Sequence, residues 1–137
     1  MADFIYHNFL LRLGQKAYDM DNDVFMMLLL DDGHTPDVDH VDYDDIIADE
    51  LSNGNGYTTG GLTLTATWTE SAGLVTFNAD NALWPSANFT SRYAVIRNVT
   101  VGGELVCLTD FTENKQASNI TFEVRFHVDG IFDYQQT

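Results

Sequence analysis

The sequence predicts a mainly β protein: a β-sandwich or jelly-roll-like domain with one short helix at its N-terminal end. Three observations carry this. Leu62, Leu64, Ala66 and Trp68 alternate with Thr63, Thr65 and Thr67, the period of two that marks a strand with one buried and one wet face. Short apolar runs succeed one another along the chain, separated by turn signals such as Ser71-Ala72-Gly73, Gly102-Gly103 and Asp129-Gly130, as in a sandwich of about seven strands. Near the start, Phe4, Ile5, Phe9, Leu10 and Leu13 recur at helical spacing.

Taken in order, the helix is expected over residues 3–15, with Asp3 as its cap and Gly14 near its end. A helix of ~12 residues is too short to stand alone, so it should pack on its own domain. A turn at Asp19, Asp21, Asn22 and Asp23 leads into Val24-Phe25-Met26-Met27-Leu28-Leu29-Leu30, a uniformly apolar run. Such a run suits a central strand covered on both faces. Residues 31–51 form an acidic segment: Asp31 to Glu50 holds nine carboxylates and no Lys or Arg, and Tyr43, Ile46, Ile47 and Leu51 space out one helical turn or two. A β-rich core is expected over 61–135. It opens with the alternating Leu62–Trp68 strand, which the Ser71-Ala72-Gly73 turn joins as a hairpin to Leu74-Val75-Thr76-Phe77. Further strands are expected at Tyr93–Val99, Glu104–Phe111 and Asn119–Val128, with a Gly-Gly turn between the first two and Glu113-Asn114-Lys115-Gln116 between the next pair. A short strand around Ile131 to Tyr134 closes the chain.

Composition limits the function. At 137 residues, 45% of them hydrophobic, the chain makes one domain with a single core. Twenty-one Asp and Glu against six Lys and Arg give a net charge of −15, which repels nucleic-acid phosphates and anionic lipid alike. Neither is expected as a partner. Val24 to Leu30 is seven residues against the ~20 that cross a bilayer, and the N-terminus lacks the basic-then-apolar pattern of a secretory signal. A soluble, unexported product is expected. The single Cys107 excludes an internal disulfide.

No catalytic motif emerges. Asp37, Asp39, Asp42, Asp44 and Asp45 offer oxygen ligands, but a calcium loop begun at Asp37 would place Asp42 where glycine and Ala48 where glutamate belong. His34 and His40 are six apart, wider than the usual zinc pairs. Cys107 lies among Leu105, Val106 and Leu108, the setting of a buried inert thiol. Gly54, Gly56, Gly60 and Gly61 are followed by no Lys-Ser or Lys-Thr and read as turns. Neither an enzyme nor a cofactor is expected. Asn-x-Thr triplets at Asn88, Asn98 and Asn119 read as coincidence in a Thr-rich chain. Trp68, Trp84, Phe77 and Phe89 read as core aromatics before a stacking groove.

A string of short motifs in fixed order runs nearly the full length: Tyr6-His7-Asn8-Phe9-Leu10-Leu11, Asp21 to Leu29, Glu50-Leu51, Gly56-Tyr57-Thr58-Thr59-Gly60-Gly61, Ala79-Asp80 with Trp84, Arg92-Tyr93-Ala94-Val95-Ile96, Leu105 to Phe111, and Asp129-Gly130-Ile131-Phe132. Together they resemble a family of small tailed-phage virion proteins. Members usually carry a lysine in the strand after the Asp-rich turn, where this chain has Met26 or Met27, and a more ordinary charge balance. The resemblance implies a non-enzymatic capsid cement or decoration protein, made in the bacterial cytoplasm and seated on the outer head surface. Its partners would be the major capsid protein and itself, as a homodimer or homotrimer. Contact with the capsid is expected from the N-terminal helix, at Phe4, Tyr6, Phe9 and Leu13, and from the acidic segment, at Asp39, Asp42, Asp44 and Asp45. Two rivals belong to other classes: a tail, neck or fibre module binding a receptor or glycan through Trp84, Tyr57 or Phe89, and an envelope hydrolase using acids of the cluster.

Overall fold

The computed structural model describes residues 2–135 and is mainly β, two antiparallel sheets arranged as a sandwich with one short helix near the N-terminus. The strands are β1 (Phe4–Ile5), β2 (Phe25–Leu30), β3 (Leu62–Thr63), β4 (Ala66–Ser71), β5 (Leu74–Ala79), β6 (Ala82–Asn98), β7 (Glu104–Val124) and β8 (Phe132–Gln135). The larger sheet runs β1-β7-β6-β2-β3 and the smaller β4-β5-β8. Helix α1 (His7–Gly14) packs beside β7.

The apolar run after the Asp turn becomes β2, paired along its whole length with β6 from Phe25↔Asn98 to Leu30↔Tyr93, and every residue but Met26 is buried. Between the sheets, Phe25 meets Phe77 edge-on at 5.1 Å and Phe77 meets Phe132 at 5.2 Å. Each such ring withdraws enough apolar surface to contribute about 1.5–3 kcal/mol. A second aromatic group, Trp84, Phe89, Phe111 and Phe122, lies on the extended β6-β7 ribbon, with Tyr57 brought over Phe89 by the loop before β3.

Several elements depart from expectation. The helix does not span 3–15. Phe4 and Ile5 are extended and pair with Leu108 and Cys107, because β7 offers a bare edge and two ladder residues satisfy it better than one more helical turn. The cap is Tyr6, with no side-chain hydrogen bond; Asp3 instead accepts from the Asp110 amide. Since β1 and β2 share the sheet with β6 and β7, the β-rich core is not confined to 61–135.

The alternating run Leu62–Trp68 is two strands. Leu62 and Thr63 pair with β2 in the larger sheet, whereas Ala66 onward pairs with β5 in the smaller one. Leu64 and Thr65 make the corner, held by Leu64 N–H on Phe25 C=O at 2.9 Å and Asp80 N–H on Thr65 C=O at 3.0 Å. Alternation is preserved through a corner, so periodicity could not reveal it. The hairpin beyond it forms as expected, with Ser71 opposite Leu74 and positive φ at Ala72 and Gly73.

β6 begins at Ala82, eleven residues before the expected Tyr93 start, and runs through Pro85. That proline sits where the register shifts between Trp84 and Ala87, so its missing N–H removes no ladder bond. Glu113–Gln116 does not reverse the chain either. Residues 111–114 form an outward excursion opposite Arg92, with Thr112 at φ +69°, after which β7 resumes its direction at Ser91↔Lys115. The turn-forming residues were genuine; they make a bulge rather than a hairpin. β7 ends at Val124, not Val128, and β8 pairs with β5. In the acidic segment two single 3-10 turns form, Tyr43–Asp45 and Ile47–Asp49.

Candidate functional site

The N-terminal face joins apolar side chains to carboxylates. It begins with β1, whose flanking amides tie it down: Asp3 N–H reaches Leu108 C=O at 2.9 Å and Tyr6 N–H reaches Val106 C=O at 3.1 Å. Helix α1 then presents two faces. Inward, Phe9 is fully buried, stacked on Tyr18 at 5.2 Å and edge-on to Phe132 at 5.8 Å. Arg12 grips Glu104 through both carboxylate oxygens at 3.0 and 3.1 Å, and the Tyr18 hydroxyl donates to the same carboxylate at 2.7 Å. Burial works to raise the Glu104 carboxyl, but these hydrogen bonds outweigh it and hold the group below the usual carboxylate range. The helix is thereby fixed to β7 by one aromatic anchor and one polar clamp.

Outward, Leu10 and Leu11 are 54% and 60% exposed. Leu10 borders a groove of about 470 Å3 with Phe4, Ile5, Val38 and Phe132 in its walls and Asp3 and Asp133 at its margin. The His7 Nδ1–Asp39 contact of 2.8 Å, exposed on both sides, stands beside it. A carboxylate-rimmed apolar groove suits an apolar side chain carried on a basic-flanked partner segment.

The interface residues expected from sequence are divided by this geometry. Phe4 and Leu13 are half-buried, Phe4 in the groove wall. Tyr6 and Phe9 are corrections: both are fully buried and hold the domain together, so neither touches a partner. An eight-residue helix directs only one stripe inward, and Phe9 takes it, leaving adjacent Leu10 and Leu11 outside. That adjacency was visible in the sequence and marks the exposed pair.

The acids of residues 31–51 are organised as a folded loop. Asp42 accepts from the Asp44 amide at 3.1 Å and forms a reciprocal capping box with Asp45, whose carboxylate also takes the Val41 amide at 2.7 Å. That backbone bond holds the Asp45 carboxyl below its usual range. Asp42 and Asp45 thus serve the turn; Asp39, Asp44 and Asp45 are exposed and Asp42 is half-buried. Glu50 is held inside by the Tyr43 hydroxyl, the Tyr57 hydroxyl at 2.5 Å and the Gly60 amide at 2.8 Å. His34 is 4% exposed, bonded through Nδ1 to Asp49 at 2.8 Å, with the His40 ring 5.8 Å away. Among the described residues no three His, Cys, Asp or Glu side chains converge in a metal-holding arrangement.

Of the residues named for a glycan platform, Trp84 and Tyr57 are 3% and 2% exposed, and Phe89 is half-buried against Tyr57. Half-buried Trp68 instead lines a groove of about 590 Å3 with Lys16, Tyr18, Asp21 and Thr100. Cys107 is buried, and burial pushes its thiol up to about 12, which leaves no thiolate to act as nucleophile. Among the described residues no helix is long and apolar enough to cross a membrane. No protein-family model, curated protein or solved structure matches the chain.

Proposed function

We propose that this chain is a non-enzymatic virion structural protein of a tailed bacteriophage, a cement or decoration protein that binds the outer surface of the head and ties neighbouring capsomers together. The observation that carries this reading is the fixed order of short motifs from Asn8 to Phe132 that resembles small phage virion proteins. Two features of the molecule support it. Exposed Leu10 and Leu11 beside a carboxylate-rimmed groove form a docking face with the chemistry of a protein interface. The charge of −15 directs the protein away from packaged genome and toward basic protein surface. The partners under this reading are the major capsid protein and further copies of the chain.

Gel densitometry of purified virions against the major capsid protein tests it. A ratio near one to one, or a simple fraction of it, is expected. A few copies per particle would move the protein to the tail or neck, and absence from particles would overturn the structural role. The tail-associated glycan-binding alternative has one observation in its favour, half-buried Trp68 on the wall of the larger groove among Asp21 and Thr100. Quenching or a blue shift of tryptophan fluorescence on titration with host surface glycans would support that alternative.

A further inference from the structure

The β6-β7 hairpin is longer than the sheet it belongs to. β2 covers β6 only from Tyr93 to Asn98, and β1 covers β7 only at Cys107 and Leu108, so Ala82–Ser91 and Lys115–Val124 run on as a two-stranded ribbon. Along the far side of β7, among the described residues, no backbone group from Glu113 to Val124 bonds to anything outside the ladder with β6. A row of unpaired donors and acceptors is a template for another strand. Side chains point the same way: Ile120 is 59% exposed, Leu83 is 47% exposed, and Phe111, Phe122 and Val124 line a groove of about 320 Å3.

Charge selects the occupant. Between Ala82 and Arg125 the acids Glu104, Asp110, Glu113 and Glu123 are matched in number by Arg92, Arg97, Lys115 and Arg125. Three of these pair locally, Arg92–Asp110 at 2.8 Å, Lys115–Glu113 at 2.6 Å and Arg125–Glu123 at 2.5 Å. This stretch carries no net charge in a chain whose total is −15. Two copies approaching by any acidic face repel each other; by the ribbon they do not.

We propose that the free β7 edge, Lys115 to Val124, pairs antiparallel with the same edge of a second copy, making a two-fold dimer through a continuous sheet. An isologous contact of this kind consumes the edge it uses and therefore closes. The bulge at Asn119, φ +57°, and the excursion at residues 111–114 divide the edge into short runs, which confines pairing to one partner instead of open-ended sheet growth. This deepens the self-association part of the proposed function and rests on it only for its role in a virion; the contact itself is a property of the isolated protein.

The test is sedimentation equilibrium of the purified chain with hydrogen exchange across protein concentration. A dimer is expected, tightening between about 0.05 M and about 0.5 M NaCl as residual repulsion is screened, with amides of residues 115–124 gaining protection as concentration rises. Ile120→Asp and, as a second edge variant, Thr121→Asp are expected to weaken it by about tenfold or more, while Leu11→Asp on helix α1, outside the 115–124 edge, leaves it unchanged. A monomer at every salt concentration, a dimer indifferent to both edge variants, or one broken by Leu11→Asp would overturn the proposal. None of these outcomes bears on virion copy number, so failure here and failure of the cement reading are told apart.

Discussion

Gly61 and four tyrosines show how single residues set the behaviour of this domain. Gly61 has φ +96°, and a Cβ there would stand 2.2 Å from the Met27 carbonyl oxygen, because the chain entering β3 lies directly against β2. Gly61→Ala is expected to destabilise by ~3 kcal/mol or more through combined strain and backbone collision, read as a lowered urea midpoint. The tyrosines act through ionisation. Burial, followed by Glu50, pushes Tyr43 up to about 12 and raises Tyr57 further; burial followed by Glu104 raises Tyr18, and burial raises Tyr6. Their folded-state values lie above the unfolded value of 10.0. The stability they contribute is therefore fully present below pH 10 and is lost as pH climbs through the folded values. Native protein at a pH just above 10 should keep Tyr6, Tyr18, Tyr43 and Tyr57 as neutral phenols. Phenolate absorbance from all six before unfolding would contradict the burial described here.

Helix α1 is the element whose two faces have separable roles. Phe9→Ala removes a ring stacked on Tyr18 and edge-on to Phe132, and should lower stability by about 3–5 kcal/mol. Leu11→Asp, at a side chain 60% exposed, should leave the thermal midpoint nearly unchanged and, under the proposed cement role, reduce occupancy on virions. Thermal unfolding monitored by circular dichroism, with densitometry of reassembled particles, separates the two. Loss of stability from Leu11→Asp, or of occupancy without loss of stability from Phe9→Ala, would reverse the assignment of faces. The long β6-β7 hairpin is the other element of consequence, since its excess over the rest of the sheet is what creates both the aromatic group under Tyr57 and the free edge.

At the scale of the whole molecule, charge dominates. The compact state gathers a net −15 into a small volume, and all of it lies outside the neutral 82–125 stretch. Self-repulsion opposes compaction, and salt screens exposed charges over about 10 Å at 0.1 M. The urea midpoint should therefore rise as NaCl is added at neutral pH. A midpoint that falls would show instead that exposed pairs such as His7–Asp39 and Lys115–Glu113 contribute more than the net charge removes.

The mainly β character, the apolar β2 run, the β4-β5 hairpin, the 3-10 turns near Tyr43 and the final strand were legible because each depends on local spacing or on turn residues within a few positions. Of the residues expected at an interface, exposure could be read only in part: Asp39, Asp44 and Asp45 are exposed and Phe4 and Leu13 half-buried, but burial of Tyr6 and Phe9 depends on Tyr18, Val106 and Phe132, far away in sequence. The conversion of Phe4-Ile5 from helix to strand, the corner at Leu64-Thr65 and the continuation of β7 through Glu113–Gln116 were likewise decided by partners that only the folded chain brings near. Composition by itself determined the acidity. Where that acidity is absent, along an edge that no strand among the described residues covers, is a property of the tertiary structure, because it requires β6 and β7 to pair over a length that their neighbours do not match.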